Sequence, residues 1–456
     1  MAKRSGGGSA GKPDRFLYLR DGTYYYMRRV PARLQLVDER SPSIRQSLKT
    51  GDLALARAKR DLLEEADNAL WASLLLDAPR DTARARYQAA VKRVEALGFT
   101  FRSGAALGKS ASLDDIIARL ETIENGSLSR EASKAVVGAV PLPTVTVSKA
   151  FEIYVDEIVA DELVNKSQNQ RAQWKKVKRR AVNNFVDLVG DKEMTEITRE
   201  DAQRFYRFWL EKVAPKGRKA THSASSGNRD LGNLRVLYEA YFTHMGETDR
   251  FNPFSKLNFH EKKKRIRPPF SVEWIVGTIL KPGAMQTMND EARGVALALI
   301  ETGARPSEIA NLTKQSIHID ADIPHLSIEP RVDPEDPREI KTASSERKLP
   351  LIGVALEVFS RFPEGFPRYR NRENDLSATL NKYFRENGLF PSRSHTIYSF
   401  RHSFEDRMKI AGLDPELRMI LMGHTIDRPR YGAGGTMEWR QNELKKIALP
   451  FDPAIV

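Results

Sequence analysis

The stretch LMGHTIDRPRYGAG, Leu421–Gly434, sets a histidine, His424, a few residues before a tyrosine, Tyr431, and frames the tyrosine with Pro429, Gly432 and Gly434. A tyrosine in isolation is explained by packing its ring and wetting its hydroxyl. Gly and Pro on both sides point elsewhere, because they supply the turn and the backbone freedom that a reaching hydroxyl needs. What stands upstream decides between the two.

Upstream, GVALALIETGARPSEIANLTKQSIHI predicts a helix, a break at Gly303, and a second helix with Arg305 and Glu308 at its start, where an acid suits the helix N-terminus. LSIEPR, REIKT and SERKLPL read as strands, and Ala343–Glu346 between the last two reads as a turn, so that Lys341 sits beside a hairpin tip. HTIYSFRHSFEDRM is an amphipathic helix in which Arg401 is flanked by His395, Tyr398 and His402. Each residue alone has an ordinary explanation, such as an edge lysine that keeps a strand soluble. Together, two arginines, a lysine, a histidine and a tyrosine are what an attack on a phosphodiester requires when no metal is used. Arginine forks fit the non-bridging oxygens and stay charged at physiological pH. A tyrosine hydroxyl, with a pKa of about 10, is activated beside guanidinium groups. The departing sugar oxygen needs a proton, which a lysine delivers, and the histidine binds the phosphate or accepts the tyrosine proton.

The rest of the chain fits a polyanionic partner. Its 456 residues are enough for several domains, and 74 Lys+Arg against 60 Asp+Glu give a net charge of +14. The basic residues recur in several segments, which favours nucleic acid over a membrane surface. No apolar run is long enough for a bilayer, the N-terminus lacks a signal-peptide core, and there is no cysteine, so a cytoplasmic protein without thiolate metal sites is expected. Residues 1–15 read as a flexible basic tail. Residues 16–50 read as a hairpin with a DG turn at Asp21-Gly22 plus a third strand, carrying Arg20, Arg28, Arg29 and Arg45 beside Tyr24–Tyr26. Residues 51–140 are a helical linking region. Within it GAALGKS, Gly104–Ser110, has three residues between its glycines where a phosphate loop needs four, which excludes ATP binding there. A helical domain follows over 141–262. In it Lys166, Arg171, Lys175, Lys176, Lys178, Arg179 and Arg180 occur with no acid between them, a pattern that suits a helix laid against phosphates. Lys262, Lys263, Lys264 and Arg265 open a basic linker over 263–270, and 271–450 is the last domain, before a tail at 451–456.

In order, TGARPSEI with Arg305 and Glu308, IKTASSERKLPL with Lys341, YSFRHSF with Arg401, LMGH with His424 and RYG with Tyr431 resemble the catalytic domain of the tyrosine recombinases, or phage-type integrases. The resemblance covers residues 270–450. It extends more loosely to 142–262, which look like that family's core-site binding domain, and to 16–50, which resemble its arm-site binding sheets. The implied fold is mainly α with small β-sheets, in several domains, the last of them α+β. One position departs from the pattern. Three residues before Arg401, Tyr398 stands where the family usually has histidine, and a phenol is a poor proton shuttle at neutral pH. Glu308, Tyr398 and His402 are then supporting residues, and His395 reads as a helix cap or a buried structural histidine.

The resemblance implies site-specific recombination without cofactor, metal or ATP. Tyr431 would form a 3′-phosphotyrosyl bond, and a homo-tetramer would act on two double-stranded DNA sites, with a DNA-bending protein and a directionality factor as further partners. The added N-terminal modules favour integration and excision of a phage or mobile element over chromosome or plasmid dimer resolution. A type IB topoisomerase shares the chemistry but not the pairing of two duplexes. A non-catalytic DNA-binding regulator explains the charge and leaves Tyr431 as packing. MEWRQNELKKIALPF, near the C-terminus, reads equally as a helix that docks on a neighbouring copy or as one that packs on its own domain.

Overall fold

The Asp21-Gly22 pair turns the chain as expected, both residues at positive φ (48° and 74°), and closes a hairpin of β1 (Leu17–Arg20) and β2 (Thr23–Arg29). In the computed structural model, which describes residues 13–38, 40–75, 79–124, 128–141, 143–261, 267–425 and 434–456, β3 (Ser43–Ser47) adds to β2 antiparallel. The period of two along a strand sends Tyr24, Tyr26 and Arg28, with Ile44 and Gln46, to one face. That face is covered by α1 (Leu53–Leu75). Tyr26, Ile44, Leu63 and Trp71 share a core there, Tyr26 Oη donates to Asp67 at 2.8 Å, and the Arg28 guanidinium lies 4.4 Å from the Trp71 ring. Tyr18, Arg20, Tyr25, Met27, Arg29 and Arg45 are left on the other face. Sheet and helix are therefore one module, and a division at residue 50 falls inside its core.

The fold is mainly helical with two small sheets, and its contacts divide it into two units, Met1–Asp161 with Val177–Glu261 and Glu162–Lys176 with Lys262–Val456. In the first unit, α2 (Pro79–Ala96) packs on α1, and α3 (Gly104–Ser110) coils the GAALGKS stretch into a helix capped by Ser103. α4 (Leu113–Glu124) and α5 (Arg130–Val136) are joined by buried Arg119, which donates to the carbonyls of Val136 and Thr100. The helical part then runs through α6 (Val147–Ile153), α7 (Ala160–Leu163), α8 (Gln168–Val189), α9 (Arg199–Val213) and α10 (Ala224–His244), except that the end of α7 and the start of α8, within Glu162–Lys176, belong to the second unit. Thr146 caps α6, and Thr198 with Asp201 forms a capping box at α9, so each amphipathic stretch starts where a side-chain oxygen meets the open N–H groups. Phe151, Phe185, Phe205, Trp209, Tyr241 and Phe254 are buried in this part.

The second unit opens with α11 (Val272–Trp274), which runs on as a π turn to Ile279. Its centre is α12 (Asp290–Thr302), buried on nearly every side. Around it lie α13 (Pro306–Ala310), a sheet of β4 (Ile317–His318), β5 (His325–Ile328) and β6 (Arg347–Pro350), and the helices α14 (Gly353–Arg361), α15 (Glu373–Glu386), α16 (Ser399–Ile410), α17 (Pro415–Met422) and α18 (Met437–Lys445). β6 pairs with β5, Leu349 opposite Leu326. REIKT, expected as a strand, is none: only Arg338 pairs, in an isolated bridge with Arg331. The Arg338 side chain donates to Asn371 and Glu373, and the hairpin tip expected at Ala343–Glu346 is a 3-10 turn leading into β6.

The C-terminal segment packs on its own domain, with Leu444, Ile447, Leu449, Ile455 and Val456 in the same core as α12, so residues 451–456 are not a loose tail. A buried ion pair holds it. Arg407 on α16 meets Glu301 on α12 at 3.0 Å and donates to the Ile447 carbonyl, while Glu301 accepts from the Leu449 amide. No helix among the described residues is long and apolar enough to cross a membrane.

Candidate functional site

The site begins where α12 must stop. At Gly303 (φ 56°) a Cβ would stand 2.2 Å from the Phe404 ring, so only glycine can turn the chain there. Arg305 follows as the cap of α13, with Pro306 in the first helical position and Glu308 in the third. Glu308 accepts the Arg305 backbone N–H at 2.8 Å and one of its guanidinium nitrogens at 2.5 Å. The same guanidinium nitrogen of Arg305 donates to Ser345 Oγ at 3.0 Å, while its buried Nε has no hydrogen-bond partner among the described residues.

A residue absent from the sequence reading completes this corner. Arg347, its side chain 1% exposed, donates to Glu308 at 2.8 Å, to the Ser345 carbonyl at 2.7 Å and to the Leu421 carbonyl at 2.8 Å. One guanidinium thus ties together the segments that carry Arg305, Lys341 and His424. Its fit dictates Gly423 (φ 61°), where a Cβ would stand 2.8 Å from Arg347 Nη1. Burial pushes the Glu308 carboxyl up, but Arg347 and Arg305 with the backbone N–H outweigh it and hold the group below its usual range. The signal was in the sequence: Arg347 shares the parity of buried Leu349 on β6, and a charged side chain on the apolar parity of a strand needs a partner.

Arg401 is 3% exposed on α16. It donates to the Gly303 carbonyl at 2.8 Å, to the Met422 carbonyl, and to His424 Nε2 at 3.2 Å. Arginine has no acceptor, so His424 Nε2 is the accepting nitrogen and the imidazole is neutral with its proton on Nδ1. Burial, then Arg401, Arg305, Arg347 and Lys341, depress the His424 pKa. Burial and the neighbouring Arg305 likewise bring Arg401 down to about 10, which leaves it charged at neutral pH. Lys341 is exposed and lines, with Arg305 and Glu308, a cleft of about 940 Å³ whose far wall includes Arg331 and Arg338. The turn after it is anchored to the site, since Thr342 Oγ1 meets Ser345 Oγ at 2.9 Å and Ser344 Oγ meets Thr425 Oγ1 at 3.3 Å.

Arg305, Lys341, Arg401 and His424 are thus brought together from four separate segments. Tyr431 lies outside the described residues, as do Lys262, Lys263, Lys264 and Arg265. Tyr398 immediately precedes α16 without a side-chain capping bond, its ring 5.7 Å from that of His402 and 5.1 Å from the Arg267 guanidinium. His402 is held below its usual pKa by burial and by Arg267 and Arg401. His395 is buried and structural, bonded to the Pro269 carbonyl and Ser392.

The expected phosphate-binding cations are largely engaged within the chain. Lys166 precedes α8 rather than lying on it, and pairs with Glu339. Arg171 donates to the carbonyls of Lys166 and Val164. Lys178 lies over the Tyr154 ring, Arg179 over Phe151, and Arg180 pairs with Asp230 at 2.5 Å. Lys175 is half-buried and Lys176 exposed. The acids absent between these cations in sequence are supplied by other segments for Lys166 and Arg180.

Residues 16–75, the sheet with α1, match a family described as a domain of unknown function, DUF6538. No curated protein matches the chain. Among solved structures, the chain is similar to the Tn1549 transposon integrase in complex with transposon right end DNA, at 17% identity over 66% of this chain and 94% of that one, TM-score 0.43. It is also similar to a lambda integrase dimer bound to a COC′ core site, at 12% identity over 91% and 92%, TM-score 0.45. The integrase from mycobacterium phage Brujita matches at 14% identity over 67% and 96%, TM-score 0.31. At such identities and scores the functional reading has to come from the side chains themselves.

Proposed function

We propose that the chain is a site-specific DNA recombinase of the tyrosine recombinase kind, and that it integrates or excises a phage or other mobile element. The observation that carries the reading is the convergence of two guanidinium groups, Arg305 and Arg401, with His424 beside the cleft that Lys341 lines. A phosphate seated there would take the orphaned Nε of Arg305 and compete for the donors that Arg401 gives to backbone carbonyls.

The Tyr431 oxygen attacks phosphorus as its proton passes to Nε2 of His424, which its depressed pKa keeps neutral and which is freed when Arg401 turns its donor from the imidazole to the phosphate. The bond from phosphorus to the 5′ oxygen breaks, and Lys341 gives that oxygen its proton. The 3′ end remains on the tyrosine, and the freed 5′-hydroxyl attacks the corresponding linkage in a partner duplex, so the bond energy is kept and ATP is not needed. Arg305 and Arg401 stabilise the added charge of the transition state. Glu308 and Arg347 hold Arg305 in place. Four copies on two sites would complete both strand exchanges, with a DNA-bending protein and a directionality factor as further partners. Arg20, Arg29 and Arg45, with Tyr18, Tyr25 and Met27 on the outer face of the small sheet, offer a second DNA contact, whereas Arg28 faces α1.

The test uses nicked duplexes tiling the DNA that flanks the chain's own gene, with EDTA and without ATP. A protein–DNA adduct on a denaturing gel, absent for Tyr431→Phe while DNA binding persists, supports the reading. Binding without any adduct supports a non-catalytic regulator, and an adduct that relaxes supercoils without joining two duplexes supports a topoisomerase.

A further inference from the structure

The short segment Glu162–Lys176 lies in the same unit as the site; two of its polar side chains hold the stretch of chain that leads to Lys341, and a third meets the carboxylate that stretch's Arg338 binds. Gln170 makes a two-way amide pair with Glu339: its Nε2 donates to the Glu339 carbonyl at 2.8 Å and its Oε1 accepts the Glu339 N–H at 3.2 Å. Lys166 pairs with the Glu339 carboxylate, and Asn169 donates to Glu373 at 2.5 Å, the same carboxylate that receives Arg338. Residues 338 and 339 are thus held on both sides, two residues before Lys341, in a stretch that no sheet ladder supports. Gln170 and Lys166 line the cleft together with Arg305 and Lys341.

An exposed lysine on a flexible stem donates a proton efficiently only if its backbone is fixed at the right distance, since a displacement of about 1 Å costs about 100-fold in rate. From this geometry we infer that Gln170 is a positioning residue for Lys341, acting through the Glu339 peptide, and that Lys166 serves the same purpose rather than binding DNA phosphate. The inference rests on the recombinase reading, in which Lys341 is the general acid.

The diagnostic is a duplex with sulfur in place of the bridging 5′ oxygen at the cleaved phosphate, made for the fragment that forms the wild-type adduct. Sulfur leaves without a proton donor, so loss of the general acid no longer matters on that substrate. Gln170→Ala is expected to slow adduct formation about 10-fold to 100-fold on the oxygen duplex. On the sulfur duplex it should come within a few-fold of wild type, as Lys341→Ala should. If Lys341→Ala recovers with sulfur and Gln170→Ala does not, the positioning role is overturned and the recombinase reading stands. If Lys341→Ala itself does not recover, or wild type forms no adduct on any duplex, the assignment of the acid fails and this inference with it. A second measurement needs no DNA. Hydrogen exchange followed by mass spectrometry of the peptide containing Glu339–Lys341 should quicken in Gln170→Ala while the α12 peptide is unchanged, and equal protection in both proteins would also overturn the proposal.

Discussion

At the residue scale the site is organised by what surrounds each charge. Burial first, and then the surrounding cations, disfavour the imidazolium of His424, which accepts from Arg401, so its pKa lies below the ordinary value of about 6.5. In its proposed role as proton acceptor it works when neutral. Adduct formation should therefore hold level as pH falls to about 6.5 and decline only below that. A single-turnover pH profile checks this. An acid limb at or above that value, or the same limb in His424→Gln, would contradict the assignment. Arg347 is the buried partner of Glu308, and Arg347→Met leaves that carboxylate with one guanidinium in place of two. We expect a loss of about 3 kcal/mol or more in urea unfolding, with Arg347→Lys recovering part of it. The residues given chemical roles in the proposed function stood out in the sequence because their types are unusual beside Gly, Pro and apolar neighbours. Arg347 carried a weaker signal, its shared parity with apolar Leu349 in SERKLPL, which is easily passed over because charged residues are common on strand edges.

At the scale of elements, the helices and the first hairpin were legible because their signals are local: a DG turn, capping residues and apolar stripes. What failed was non-local. REIKT has strand composition, yet β6 pairs with β5 and leaves it out, and four of the seven cations that have no acid beside them in sequence, Lys166, Lys178, Arg179 and Arg180, meet Glu339, Tyr154, Phe151 and Asp230 from other segments. The small sheet makes a clean comparison, since its arginines divide between two faces. Arg29→Ala and Arg45→Ala should each weaken DNA binding and lower the salt slope by about 1, whereas Arg28→Ala should leave the slope unchanged and lower the melting temperature. Equal salt slopes for all three variants would remove the sheet from the DNA contact. The Glu301–Arg407 pair sets the other element-scale expectation. Arg407→Met strands a buried carboxylate and frees the Ile447 and Leu449 backbone, so it should cost about 3–5 kcal/mol and quicken amide exchange at Leu449. Unchanged exchange there would show that packing alone holds the C-terminal segment.

At the scale of the molecule, a basic chain of two units combines a small sheet packed on a helix, a helical bundle with its own aromatic core, and an α+β unit that carries the cleft. In the proposed reading, the net positive charge would draw the chain to DNA, and the constellation of Arg305, Lys341, Arg401 and His424 would turn that attraction into cleavage. The claim on which the rest depends is that a tyrosine oxygen replaces the sugar oxygen on phosphorus with no metal. Its most direct test is the covalent adduct itself, trapped on a nicked duplex in EDTA, digested, and sequenced by mass spectrometry. We expect a phosphodeoxynucleotide on Tyr431 and none in Tyr431→Phe with DNA binding retained. An adduct on any other residue, or cleavage that appears only when a divalent metal is added, would contradict the account.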